Sequence, residues 1–282
     1  MEKQLSYLAL LCGTILLLAS GCKSEFEKVR ISGNPEVMFA KANEYYEEEE
    51  FAKAQSLFEL VIGSYRGKKE AEEIYYRYAY TYYYLGQYIL ASYYFNNFSN
   101  TYSASQYREE TDFMAAYSHY KLSPTFRLDQ TYTEKAIEDL QLYVNTYPQS
   151  ERVQEANQLI DDMRAKLERK ALEEAMLYFD LRQYQSAIQS FENLLKDFPE
   201  TNRAEEVRYY ILRSAYLLAD NSFVEKQETR YRDALTRASE FIAKYPDSDH
   251  AKEVAQMLTN SKEKLNQLTN VGYQDKSSRT RS

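Results

Sequence analysis

The sequence predicts an all-α fold, a solenoid of helix-turn-helix units stacked one on the next, and three observations carry that prediction. Seven Gly and five Pro in 282 residues are about a third of ordinary usage for that pair. That is too few turn-formers for a many-stranded sandwich or barrel, or for α/β units with glycine-rich phosphate loops. Five alanines, Ala54, Ala91, Ala136, Ala187 and Ala234, recur in equivalent surroundings, and self-similarity at a period of tens of residues marks a repeat array. Each is followed at one fixed distance by a ring, Tyr65, Tyr102, Tyr147, Phe198 and Tyr245, so helices end at regular intervals on a large apolar side chain.

The N-terminus precedes the repeats. Met1-Glu2-Lys3-Gln4 leads into an apolar run, Leu5 to Leu18, and then Ala19-Ser20-Gly21-Cys22. This is a secretory signal with small residues at its cleavage point, and its apolar run is too short to span a bilayer comfortably. Cys12 leaves with the leader, so Cys22 becomes the only thiol of the mature chain. A lone free thiol in an oxidising envelope is unusual. The Ala-Ser-Gly-Cys ending resembles the bacterial lipobox, with Ala19 where Leu is usual, and the resemblance implies cleavage before Cys22 and a covalent lipid on its thiol. Residues 1–21 then form the leader and 22–34 a lipidated tether. Lys23, in place of Asp, is similar to the outer-membrane pattern of envelope lipoproteins. No other segment is apolar enough to span, so the rest is expected to be a water-soluble body on a lipid tether.

Around the anchors the chemistry repeats. Phe51, Tyr88, Thr133, Tyr184 and Tyr231 stand before them, and Phe58, Phe95, Leu140, Phe191 and Ala238 one turn after. Upstream come Ala42 with Tyr45, Ala79 with Tyr82, and Ala175 with Tyr178. Small residues let two helices approach while the rings fill the space to the next unit. Pro148, Pro199 and Pro246 stop the helices, and Ser150, Thr201 and Ser248 are expected to cap the following ones. This pattern resembles the tetratricopeptide repeat, which makes the predicted fold an α-solenoid of five tetratricopeptide-like repeats.

Spacings beyond the ~34-residue unit place three insertions. They are the loop Ser123 to Thr131, the Gly- and Pro-free run Ser150 to Asp180, expected to be a long helix or two abutting ones, and a stretch around Asp220 to Thr229. Two lobes are expected: 35–150 with repeats one to three, and 151–271 with repeats four and five and a long connecting helix. The polar tail 272–282 reads as disordered.

A lipobox, five repeats and an insertion carrying Arg127-Leu128-Asp129-Gln130 together resemble the BamD family, the lipoproteins of the bacterial β-barrel assembly machine. The tyrosine-dense stretch Tyr75 to Tyr84 departs from it. The resemblance implies a non-enzymatic scaffold on the periplasmic face of the outer membrane. Its C-terminal repeats would dock on a POTRA-bearing, BamA-like barrel protein, and its N-terminal repeats would receive unfolded outer-membrane proteins. The alternative is a repeat lipoprotein serving a cell-wall remodelling or secretion complex, and a third is a surface-exposed nutrient binder.

Repeat register gives candidate surfaces. Phe39, Asn43 and Tyr46 flank Ala42, and Tyr76, Tyr80 and Tyr83 flank Ala79, an expected tyrosine-lined trough for an extended peptide. Phe39 stands where a clamp for chaperone C-termini would need Lys. Arg203, Arg208, Tyr209 and Arg213 form a basic-aromatic set suited to an acidic partner. Net charge −8 disfavours a nucleic-acid partner. The acidic run Glu47 to Glu50 lacks the alternation and central Gly of a calcium loop. His119 and His250 are the only histidines, without ligand-spaced partners, so no metal site is expected. No Gly-x-Ser-x-Gly elbow occurs, and Gly63 to Lys69 misses a phosphate loop by one spacer residue and a Lys for Ser/Thr. No catalytic residues are therefore expected.

Overall fold

A computed structural model describes the backbone of residues 24–279 and the side chains of 24–269. The leader and Cys22 lie outside the described residues. Among the described residues every regular element is helical: α1 Glu25–Arg30, α2 Pro35–Glu47, α3 Phe51–Val61, α4 Glu70–Tyr84, α5 Tyr88–Thr101, α6 Arg108–Leu122, α7 Thr131–Thr146, α8 Val153–Asp180, α9 Tyr184–Asp197, α10 Ala204–Asp220, α11 Val224–Lys244 and α12 Ala251–Arg279, with one 3₁₀ turn at Ile62–Tyr65. None of the described helices is long and apolar enough to cross a membrane.

The chain divides into two compact units. One comprises residues up to Pro124 with Asp129–Asp161, the other Thr125–Leu128 with Asp162 onward. The division falls inside α8 rather than at residue 150, and the tip of the first insertion groups with the second unit. In the first unit each helix from α2 to α7 packs on its sequence neighbour, and in the second α9 to α12 do the same. All five anchor alanines are at most 1% exposed, as are Ala42, Ala79 and Ala175, so small residues stand where helices cross. Phe58 and Phe95 fill the core of the first unit, and Phe191, Val207 and Ile211 that of the second.

The turns inside three repeats share one geometry. Glu49 (φ 60°), Gly86 (φ 71°) and Arg182 (φ 59°) are left-handed at equivalent positions. After each helix, paired backbone bonds close the end, for example Gly86 N to Tyr83 O (3.0 Å) and Gln87 N to Tyr82 O (2.9 Å). This is a Schellman closure, which favours glycine at its left-handed residue.

Three expectations change. Ser150, Thr201 and Ser248 do not cap the helices directly; their hydroxyls accept the amides of Arg152, Arg203 and His250 at 3.1, 3.1 and 3.1 Å. They form hydroxyl turns that lead into the helices. The excess around Asp220 to Thr229 is helical, lengthening α11 to 21 residues. The backbone of α12 continues to Arg279, across most of the tail that composition reads as disordered. The run from Ser150 to Asp180 holds one helix of 28 residues, Val153–Asp180.

Candidate functional site

Tyrosines occur on two faces of α4 because adjacent residues point about 100° apart on a helix. Toward α5, the Tyr78 and Tyr82 hydroxyls are 2.8 Å apart, and Tyr82 stacks on Tyr94 at 4.6 Å. Toward α6, the Tyr76 and Tyr80 hydroxyls donate to the two oxygens of Glu110 at 2.9 and 2.6 Å. Tyr76 also stacks on Tyr107 at 4.4 Å, and Arg152 stands 3.9 Å from the Glu110 carboxylate. Burial first, and the Glu110 carboxylate second, push both hydroxyls well above the ordinary tyrosine range.

The expected trough is therefore partly a core. Tyr80 is only 7% exposed and offers neither ring nor hydroxyl to a guest, because α6 covers it. Tyr76 is half-buried with its hydroxyl engaged, and Tyr83 is half-buried against Tyr88 and Tyr117. In the first repeat Phe39, Asn43 and Tyr46 are all half-buried. Phe39 leans on Tyr65 at 5.2 Å. Tyr46 packs edge-on to Phe51 at 5.6 Å and Tyr84 at 6.2 Å, under the Arg77 guanidinium at 5.0 Å. Arg77 is held by Glu47 (2.5 Å) and Glu73 (2.9 Å). The Asn43 Oδ1 is enclosed without a hydrogen-bond donor among the described residues.

Sequence reasoning missed Glu110, Arg77 and Tyr84. One signal was present: Tyr76 and Glu110 are 34 residues apart, one repeat period. The same relation joins Tyr143 to Glu109 and, at 35 residues, Tyr147 to Asp112. Burial, and then Asp112, push Tyr147 up to about 12.

The basic-aromatic set does not form one surface. Tyr209 is 3% exposed, stacks on His250 at 3.8 Å and donates to Glu253 at 2.7 Å. Burial, and then Glu253, raise it to about 12. Arg213 pairs with the same Glu253 at 3.6 Å and covers Phe179 at 5.4 Å. Arg203 is exposed beside Glu206 at 3.6 Å. Arg208 points elsewhere, onto a cavity of about 280 Å³ lined also by Leu195, Arg237, Phe241 and Lys244. The cause is helical spacing, since Arg208 and Tyr209 are neighbours in sequence and cannot share a face.

The insertion tip packs within the second unit. Arg169 lies over the Phe126 ring at 4.1 Å with Arg127 at 4.8 Å, and Lys170 Nζ donates to the Leu128 carbonyl at 3.0 Å. His119 is bound to Asp139 at 2.6 Å, and Lys135 reaches the same carboxylate at 2.9 Å. Among the described residues no group of His, Cys, Asp or Glu is gathered as metal ligands.

Comparison with known proteins adds the family. No curated protein matches the chain significantly. Solved structures similar to it include the TPR2AB domain of yeast Sti1 in complex with an Hsp90 peptide, at 14% identity and TM-score 0.37, covering 81% of this chain and 98% of that one. The apo form of RapI is similar at 16% identity and TM-score 0.30, covering 83% of each chain. The yeast histone chaperone Hif1 is similar at 13% identity and TM-score 0.27, covering 86% and 96%. The profile of the YfiO family, described as outer membrane lipoprotein, matches residues 32–212. That match runs through the first four repeats and into α10, well over half of the sequence, and on it the chain belongs to the YfiO family of outer membrane lipoproteins.

Proposed function

We propose that this protein is a non-enzymatic scaffold of the outer-membrane β-barrel assembly machine, anchored by a lipid on Cys22 at the periplasmic face. The single observation that carries the reading is the family match across residues 32–212, which includes every residue of the candidate trough. The second unit docks on a POTRA-bearing barrel protein. The first unit receives unfolded outer-membrane proteins along Phe39, Asn43, Tyr46 and the exposed edges of Tyr76 and Tyr83. Half-buried rings give an extended strand apolar contact. Catalysis has no place in this scheme; the protein positions one chain against another.

The test is photo-crosslinking in living cells. A photoreactive side chain at Phe39 or Tyr46 is expected to capture unfolded outer-membrane proteins, whereas one at Arg208 captures the barrel protein. Capture of peptidoglycan enzymes or secretion components at both positions would transfer the reading to an adaptor of those complexes.

A further inference from the structure

Equivalent positions line one cavity in each unit with opposite charge. In the first unit a cavity between α5, α6 and α7 is lined by Asp112, Asp139 and Tyr147. In the second the cavity of about 280 Å³ between α9, α10 and α11 is lined by Arg208, Arg237 and Tyr245. Repeat register pairs them. Asp112 and Arg208 each stand ten residues after the ring that closes the preceding repeat, Tyr102 and Phe198. Asp139 and Arg237 stand three residues after an anchor alanine, and Tyr147 and Tyr245 eleven after it.

The first of these cavities is satisfied by the chain itself. Asp112 accepts the Tyr147 hydroxyl at 2.6 Å and faces the Arg108 guanidinium at 3.8 Å. In the second a guanidinium stands where the carboxylate was, and the Tyr245 hydroxyl makes no hydrogen bond among the described residues. Arg208 holds no acceptor either, whereas the other arginines of α10 and α11 are all engaged: Arg213 with Glu253, Arg230 with Ser222, Arg232 with Glu228 and Arg237 with Glu192. The Lys244 ammonium meets the Tyr245 ring at 5.6 Å and no carboxylate.

Two carboxylates share the lining. Glu192 is bound to Arg237 at 2.8 Å, and Arg237 also reaches Asp233 at 2.9 Å, so that group is neutralised within the chain. Glu240 is exposed and pairs with no cation among the described residues. Three donors stay unmatched, two of them charged, beside the apolar Leu195, Ile211 and Phe241. A concave apolar site with a few convergent donors suits one acceptor group and its apolar neighbour. A carboxylate gains most there, because guanidinium and ammonium groups form charge-assisted bonds to it.

We infer that this cavity receives an acidic side chain of a partner protein, an Asp or Glu with an apolar residue beside it in sequence. Its carboxylate accepts from Arg208, Lys244 and the Tyr245 hydroxyl, giving Tyr245 the acceptor that Asp112 gives Tyr147. The apolar neighbour covers Leu195 and Phe241. This contact rests on the proposed docking of the second unit on another protein and names the chemistry by which it is made.

A carbodiimide joins a lysine amine to a carboxylate in contact with it, and the full-length protein in isolated outer membranes is the sample. Mass spectrometry after digestion is expected to find Lys244 joined to an Asp or Glu of another chain. Arg208→Gln should lower that yield about tenfold or more, and Tyr245→Phe should lower it by less. Arg208→Lys should be joined to the same carboxylate at position 208. Arg208 is exposed, so its variants keep the fold, which their melting curves check. Replacing the captured acid by Arg should restore the co-purification that Arg208→Glu alone weakens. Lys244 joined only within its own chain, or joined to another at a yield that Arg208→Gln leaves unchanged, would overturn the cavity contact; docking itself stands if Lys196 or Lys252 still reaches another chain. If no lysine of the second unit is joined to another chain, the docking is overturned and this contact with it.

Discussion

Glu110 binds two tyrosines of the preceding repeat at once, accepting the Tyr76 hydroxyl at 2.9 Å on one oxygen and the Tyr80 hydroxyl at 2.6 Å on the other. The two phenols are one helical turn apart, so a single carboxylate spans them and fixes α4 against α6. Removing it strands two hydroxyls, and each buried unsatisfied group costs about 1–3 kcal/mol. Glu110→Ala is therefore expected to lower unfolding stability by about 2–4 kcal/mol, and Glu110→Gln, which keeps one acceptor, by less. Urea denaturation followed by circular dichroism measures both. An unchanged midpoint in Glu110→Ala would show that this carboxylate does not hold α4 to α6.

The same contact predicts an alkaline limit. Burial and Glu110 raise the Tyr76 and Tyr80 values above the ordinary 10.0, which favours the protonated form in the folded state. Below about pH 10 both states hold the proton and the contribution is complete. Above it the unfolded chain releases the proton first, so stability falls as pH rises toward the folded values. Denaturation midpoints should stay flat for this pair up to about pH 9.5 and then decline, with Tyr80→Phe making the decline shallower. Phenolate absorbance of the native protein should show tyrosines that resist titration.

The turn geometry predicts stabilising changes. Glu49 and Arg182 hold left-handed backbones, φ 60° and 59°, where the equivalent residue of the second repeat is Gly86. An L-residue pays about 1–2 kcal/mol there, partly offset by the larger unfolded entropy of glycine. Glu49→Gly and Arg182→Gly are expected to raise stability by about 0.5–1 kcal/mol, and Gly86→Ala to lower it by about 1 kcal/mol. Thermal unfolding of the three variants decides it, and a loss in both glycine variants would count against strain at these turns.

The C-terminal set separates into packing and surface. Tyr209 is buried on His250 and Glu253, so Tyr209→Ala is expected to cost about 3–5 kcal/mol, as large buried rings do. Arg208 is exposed, so Arg208→Glu should leave the melting curve within about 0.5 kcal/mol while weakening partner capture. Paired melting and pull-down assays check this. Equal destabilisation by both changes would show that Arg208 is structural.

Repeat number and register were legible because small and aromatic residues recur at helical spacing and nothing else in a Gly- and Pro-poor chain can satisfy that pattern. The lack of Gly and Pro from Ser150 to Asp180 left one long helix or two abutting ones open, and α8 is the single helix. What the pattern could not separate was a ring facing a groove from a ring facing the next helix. Tyr80 and Tyr83 carry the same periodic signal, yet Tyr80 is covered because α6 and Glu110 close over it. With 43 acidic residues in the chain, no single carboxylate stands out as the partner of a tyrosine. The Arg203 to Arg213 grouping failed differently, since residues close in sequence were read as one surface although the helix turns them to separate faces.

The most direct measurement of the central claim is affinity purification of the tagged protein from detergent-solubilised outer membranes, followed by mass spectrometry after a salt wash. The scaffold account predicts a POTRA-bearing barrel protein in near-equal amount, retained by wild type and depleted by Arg208→Glu. Recovery of cell-wall or secretion proteins without that barrel protein would contradict it.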